Sequence, residues 1–237
     1  MIISMDLSTL IDIDRQVLLS VNGSESLFID GLAKTLTTAA TWIPLYLSLF
    51  YVVLKNNDSI QKIILILASA ALCVILAGSL NDVIVKPFVM RWRPTHDDII
   101  GLHVDVVNGY RGGKYGFFSS HAANTFSIAV LFALLIKSRI LSITLFVWSL
   151  INCWTRLYLG VHFLGDILCG LCWGGIVGLS IGFMYLRIKK HLNYSNSYIS
   201  SHYTKTGYQK SDIDIVLIIF MLTILYAIIR ACCYLYI

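Results

Sequence analysis

Charge is what this chain has least of. Of its 237 residues only 13% are charged, against 57% hydrophobic and a mean hydropathy of +0.77. A soluble domain carries about 25% charged residues, so lipid is the expected solvent for most of this chain. The net charge of +5 is modest and sits mostly in short connections between apolar runs. That distribution speaks for membrane topology and against nucleic-acid binding. A paired cysteine framework is also missing. Cys73, Cys153, Cys169, Cys172, Cys232 and Cys233 all lie inside apolar runs. Cys169 and Cys172 form a CxxC with no second pair and no nearby strand pattern, so the set reads as small packing residues. The first twenty residues lack a basic start and hold Asp6, Asp12 and Asp14. No cleavable signal peptide is expected there, and insertion falls to an internal span. An internal repeat of the sort many transporters show is absent too.

What is present is a series of long apolar runs. A membrane helix needs about 20 mostly apolar residues. Six stretches qualify or nearly do: 42–54, 63–80, 120–136, 140–154, 162–186 and 213–231. The first is short, has Pro44 near its start, and follows a semi-polar stretch from Leu27; the segment before it spans the membrane or lies in the interface. The expected fold is all-α, a polytopic bundle of about six transmembrane helices forming one domain over 1–237. Lys55 and Lys62, then Lys137 and Arg139, then the basic segment 187–211 fall on one side of the alternating spans. Positive residues in connections mark the cytoplasm. The other side then holds both chain ends, the 87–117 loop and the turn 154–162. That outer stretch also carries Lys86, Arg91, Arg93, Arg111 and Lys114, and several of these are expected to have a job other than setting topology.

Three outer segments carry the chemistry. Lys86 to Pro94 ends the second span, Phe118-Ser119-Ser120-His121 begins the third, and Thr155 to Asp166 joins the fourth and fifth. Lys86, Arg93 and Arg156 are three cations able to converge on one anion, arginine with a planar fork that suits phosphate oxygens. Ser119 and Ser120 open a helix whose first N–H groups have no partner within it, a ready anion site. His121 sits just inside. His162 and Asp166 are four apart and would share a helix face. The carboxylate would then hold one imidazole nitrogen and leave the other as nucleophile or base. Taken singly, a basic residue at a span end commonly snorkels and an SSH is commonly a cap. An ionisable pair at a membrane span is more telling, because such groups are costly there. His96, Asp97 and Asp98 read as an exposed polar loop, not a metal cluster. The segment 106–118, with Gly109, Gly112, Gly113 and Gly116 beside Arg111 and Lys114, is either a mobile flap over the site or a structured outer loop.

In combination these segments resemble the type 2 phosphatidic acid phosphatase family, whose helical core is shared with vanadium haloperoxidases. The family pattern is KxxxxxxRP, PSGH and SRxxxxxHxxxD. Lys86, Arg93 and Pro94 match the first; Ser119 and His121 match the second, with Phe118 for proline and Ser120 for glycine. Arg156, His162 and Asp166 match the third, with Thr155 for serine. The resemblance implies an enzyme needing no metal or other cofactor. His162 would attack phosphorus and form a phosphohistidine, Asp166 would fix its tautomer, and His121 would protonate the leaving oxygen. Lys86, Arg93, Arg156 and the Ser119 and Ser120 amides would stabilise the equatorial oxygens. Ser120 would offer its hydroxyl as well. Apart from the resemblance, the 106–118 segment read as a flap would bring Arg111 and Lys114 to a second phosphate or a sugar phosphate; Thr155 keeps the family's hydroxyl.

The substrate implied is a lipid phosphate in the bilayer: undecaprenyl diphosphate by preference, then a lipid A phosphate, then phosphatidylglycerol phosphate or phosphatidate. The site would face the outer side of a cytoplasmic (inner) membrane. Two other classes share these residues: a phosphotransferase passing the group to another lipid, and a non-catalytic membrane protein with a relic site. Every catalytic position is kept, which speaks against the relic.

Overall fold

The computed structural model describes residues 7–192 and 201–233. Among these, apolar periodicity without strand patterning yields helices and turns, with two isolated β-bridges only. The helices are α1 (Leu7–Val21), α2 (Leu27–Thr37), α3 (Ile43–Lys55), α4 (Ile60–Val74), α5 (Lys86–Val89), α6 (Ser120–Ile136), α7 (Arg139–Tyr158), α8 (Leu164–His191) and α9 (Lys210–Cys233). Two π-helical turns, Ile75–Ser79 and Asn81–Val85, join α4 and α5 into one helix Ile60–Val89.

That helix, α7, α8 and α9 are each long and apolar enough to cross a membrane. The α2–α3 pair, bent by 69°, makes a fifth if it counts as one span. The remaining apolar helix, α6, has 17 residues and is mostly enclosed by the others. Six crossings thus requires α6 to cross inside the bundle. The 15 residues of α1 are fewer than a crossing needs.

The break between α2 and α3 is held by side chains that satisfy the carbonyls α2 leaves open. Thr41 donates to the Thr35 carbonyl at 2.7 Å and Trp42 Nε1 to the Leu36 carbonyl at 2.8 Å. The Trp42 ring then packs against Trp148 of α7 and Phe220 of α9, at 6.0 and 6.2 Å.

α6 and α8 form the closest pair. Gly170, Gly174 and Gly178 recur every four residues along α8, and a Cβ at each would sit 2.4 to 2.7 Å from the carbonyl oxygens of Ser119, Ala123 and Ser127. Small residues let membrane helices approach without backbone penalty. This contact sets the start of α6 beside the start of α8, where two of the three motifs lie.

The bundle has two chemically different ends. At one, Lys55 and Asn56 bond Asp212 at 2.9 and 3.0 Å, Thr206 bonds the Ile136 carbonyl, and Lys62, Lys137 and Lys189 gather. At the other end lie α1, the 90–119 loop and the α7–α8 turn. The boundaries differ from the expected ones in two places. The basic segment 187–211 is partly helical: Arg187 to His191 extend α8 and Lys210 begins α9, while 193–200 lies outside the described residues. The loop expected from 87 starts at Met90, because α5 runs through Val89.

Candidate active site

The residue sequence...Gly160-Val161-His162-Phe163 leaves α7 through a tight turn with Gly160 at φ +63°. His162 therefore precedes α8 and does not lie on it, so the expected shared helix face is not what pairs it with Asp166. The pairing comes from capping. Asp166 in the first turn of α8 accepts the Phe163 N–H on Oδ2 at 3.1 Å, as acids at helix starts commonly do. This folds the preceding residue back, and His162 Nδ1 stands 3.6 Å from the same Oδ2. The Asp166 carbonyl accepts the Ser119 N–H at 3.0 Å, tying the starts of α6 and α8 together.

His162 is 1% exposed. Its Nε2 faces Arg93 Nη1 at 3.2 Å, and that nitrogen also donates to the Val161 carbonyl at 3.0 Å. A guanidinium can only donate, so Nε2 presents its lone pair and Nδ1 carries the proton, 3.6 Å from Asp166 and without a hydrogen-bond partner among the described residues. Burial, then the charges of Arg93, Arg156 and Lys86, push the His162 pKa well below 6.5. The ring is neutral at ordinary pH. His121, in the first turn of α6, stands close enough to His162 for the two rings to interact.

The structure brings Arg93, Arg156 and Lys86 near His162, with partners the motifs do not reveal. Burial and the Arg156 charge lower the Arg93 pKa, a repulsion that an anion between them would relieve. Arg156 is 2% exposed, donates to Thr37 Oγ1 at 2.5 Å and to the Tyr110 hydroxyl at 3.2 Å, and leaves its buried Nε without a hydrogen-bond partner among the described residues. Burial alone would raise the Tyr110 phenol; Arg156, Arg93 and Lys34 overcome it and hold it below 10.0. Lys86 is paired with Asp82 Oδ1 at 2.5 Å, one turn back on its own helix.

Four expected contributions fall elsewhere. The Ser119 N–H is committed to the Asp166 carbonyl, which leaves Ser120 and His121 as the first free donors of α6 by position. The Ser120 hydroxyl donates to Asp82 at 2.7 Å and accepts from Asn81 at 2.8 Å, so it is tied to the π-helical turns and not offered to an anion. Thr155 donates to the Asn152 carbonyl at 2.7 Å within α7. Lys114 lies over the rings of Trp92 and Tyr115, and Arg111 is exposed with its carbonyl bonded to Thr95. Two of the four glycines in the 106–118 segment have a packing reason: a Cβ at Gly112 would meet Arg93 at 2.9 Å and one at Gly116 would meet Asp166 at 3.1 Å. Asp97 caps the 97–100 turn and pairs with Arg15 at 3.0 Å, which accounts for one of the loop acids.

Arg91 is the main residue that motif reading missed. Its guanidinium bridges Asp166 Oδ1 and Asp14 Oδ2, both at 2.6 Å, over the Phe163 ring. Asp14, on α1, also accepts the Gly165 N–H at 2.8 Å. Burial would lower the Arg91 pKa, but the two carboxylates override it and raise it. The only sequence signal was an unexplained excess of basic residues on the outer side.

The chain resembles known proteins in sequence and in fold. The chain is 39% identical over 168 residues to a lipid A 4'-phosphatase of Bacteroides thetaiotaomicron, covering 70% of this chain and 74% of that protein. It is 31% identical over 179 residues to a lipid A 4'-phosphatase of Porphyromonas gingivalis, covering 75% of each. The crystal structure of a transmembrane PAP2-type phosphatidylglycerolphosphate phosphatase from Bacillus subtilis superposes with a TM-score of 0.60 over 79% of this chain and 91% of that one. At 18% identity that match speaks to the fold alone. The PAP2 superfamily model covers residues 62–190, more than half of the chain and all three motifs. The chain belongs to the PAP2 superfamily and is an integral-membrane phosphatase.

Proposed function

We propose that this phosphatase removes a phosphate from a lipid A type glycolipid, at the outer face of a bacterial inner membrane, through a phosphohistidine on His162. The observation that carries the mechanism is the buried His162 ring with Nε2 against Arg93 at 3.2 Å and Nδ1 3.6 Å from the Asp166 carboxylate. The preference for lipid A over undecaprenyl diphosphate, which the sequence alone favoured, rests on the names of the two relatives.

In the first step the Nε2 lone pair forms a bond to phosphorus as the bond to the lipid oxygen breaks. Arg93 turns from Nε2 to the equatorial oxygens, and Arg156 Nε gains the acceptor it lacks. Once the phosphate anion offsets the nearby cations, a protonated His121 gives its proton to the departing oxygen. The His162 ring becomes cationic, and the Asp166 carboxylate stabilises it at Nδ1. In the second step His121 takes a proton from water, the water oxygen attacks phosphorus, and phosphate leaves with His162 neutral again. Arg91 and Asp14 hold Asp166 in place throughout. Asp82 positions Lys86 and Ser120.

The chain acts as one domain over 1–237. The lysine-rich end, including the 187–211 segment, faces the cytoplasm by the positive-inside bias, and the 87–117 segment faces outward with the site.

Phosphate release by purified protein in detergent with EDTA tests this, across lipid A, undecaprenyl diphosphate, phosphatidylglycerol phosphate and phosphatidate. Lipid A is expected to give the highest kcat/KM, and His162→Ala to abolish release. A different best substrate would overturn the lipid A reading. Activity that EDTA removes would overturn the metal-free mechanism. Label appearing on a second lipid would make the enzyme a phosphotransferase.

A further inference from the structure

The outer half of the bundle carries a groove that the chemistry above does not use. A cavity of about 600 Å³ lies between the α2–α3 bend and α9, lined among others by Lys34, Pro44, Ile219 and Arg230. Its depth follows from helix geometry. Lys55 at the end of α3 bonds Asp212 at the start of α9. At 1.5 Å per residue, Pro44 stands about 16 Å from that end and Arg230 about 27 Å. The groove therefore runs from mid-bilayer to the outer headgroup level, about the depth of one leaflet of a 30 Å hydrocarbon core.

Its wall is hydrocarbon despite four threonines. Thr35, Thr38 and Thr223 donate their hydroxyls to carbonyls one turn back, at 2.8 Å, and Thr41 donates to the Thr35 carbonyl at 2.7 Å. With the hydroxyls turned to the backbone, methyl groups are left for a ligand. Among the described residues no carboxylate lines the groove, while Arg230 late in α9 and Lys34 beside Tyr110 stand toward the outer side. That side adjoins the active site through one ring. Lys34 Nζ lies 4.0 Å from the Tyr110 centroid, and the Arg156 guanidinium lies 5.6 Å from the same centroid.

We infer that this groove seats an acyl chain of the lipid being hydrolysed, and that Lys34 and Arg230 hold a second anionic group of that lipid. The scissile phosphate then lies across Tyr110, among Arg93, Arg156 and Lys86. The inference rests on the reading of the enzyme as a lipid phosphatase. It selects lipids with two anionic groups over those with one. An anionic lipid that is not the substrate has the same headgroup chemistry, and the kinetics separate the two sources.

The test compares lipid A carrying two phosphates with its 4'-monophosphate, using wild type, Lys34→Gln, Arg230→Gln and Ala40→Trp. Ala40 lines the groove at an exposed position, so the tryptophan fills it without disturbing the core. Wild type is expected to show the lower KM for the two-phosphate lipid. Each glutamine variant should raise that KM about tenfold, as loss of one charged contact does; Arg230→Gln, away from Tyr110, should leave kcat unchanged and the monophosphate unaffected. Ala40→Trp should raise KM for both long-chain lipids and not for a short-chain phosphate ester. Equal effects of the glutamine variants on both lipids, or none on KM, would overturn the inference and leave these cations to bulk lipid. If wild type rejects lipid A altogether, the substrate reading fails separately. Phosphatidylglycerol phosphate against phosphatidate then supplies the same contrast, with the same two outcomes.

Discussion

His162 is kept neutral by its surroundings, and that sets how the enzyme should respond to acid. Burial and three nearby cations depress its pKa well below 6.5. A depressed histidine pKa means that the unfolded chain takes up the proton first as pH falls. The stability this neutral ring contributes is therefore full above about pH 6.5 and is lost as pH drops toward the folded value. The acid limb of kcat/KM against pH should lie below 6.5; a limb at or above 6.5 would mean that the ring is not shielded as described. His162→Ala should lower kcat by about 10⁴-fold or more, as loss of a nucleophile does. The residues of the motifs were legible because their spacing and type speak directly of phosphate chemistry. Their partners were not. Thr37 and Arg156 are 119 residues apart, and Arg91 and Asp166 are 75 apart, so no local periodicity links them. The His162–Asp166 pairing was foreseen for the wrong reason, since a spacing of four reads the same whether both residues are helical or one caps the helix.

At the level of elements, α1 reaches the site although it lies outside the three motifs. Asp14 holds Arg91 and Arg91 holds Asp166, so removing either link should loosen the carboxylate that steadies His162. Asp14→Ala and Arg91→Ala are each expected to lower kcat roughly 10–100-fold with KM little changed, in the manner of lost outer-shell partners. The double variant should cost no more than the worse single one, because the two act in series. Additive losses would show independent roles. Arg91→Lys should rescue little, since an ammonium cannot present two forks at once. The α6–α8 contact makes a separate demand on stability. Gly174→Val should cost about 1–3 kcal/mol through overpacking against Ala123, read as a lowered Tm in detergent; an unchanged Tm would mean that the helices separate freely. The existence of these helices was readable from hydropathy. The extension of α4 through two π-helical turns was not, because a π-turn is set by what packs on it, here Asn81 and Asp82 reaching Ser120.

Across the whole molecule, Lys55, Lys62, Lys137 and Lys189 gather at one end and the proposed phosphate chemistry at the other. The orientation this implies is checked with an impermeant thiol reagent on intact cells, in a background where native cysteines are alanine. Lys114→Cys should label directly and Asn57→Cys only after lysis; the reverse pattern would invert the topology. The bundle encloses His162 so fully that the proposed reaction requires substrate to open the Arg93–His162 contact. The proposed covalent step is open to direct trapping. Wild type, His121→Ala and His162→Ala would be mixed with a lipid substrate labelled in its phosphate, in EDTA, and stopped in alkali within a single turnover. The label is expected on wild-type protein briefly, on His121→Ala for longer because hydrolysis is slowed, and never on His162→Ala. Product formed with no labelled protein at any time, or label retained by His162→Ala, would contradict a phosphohistidine at His162.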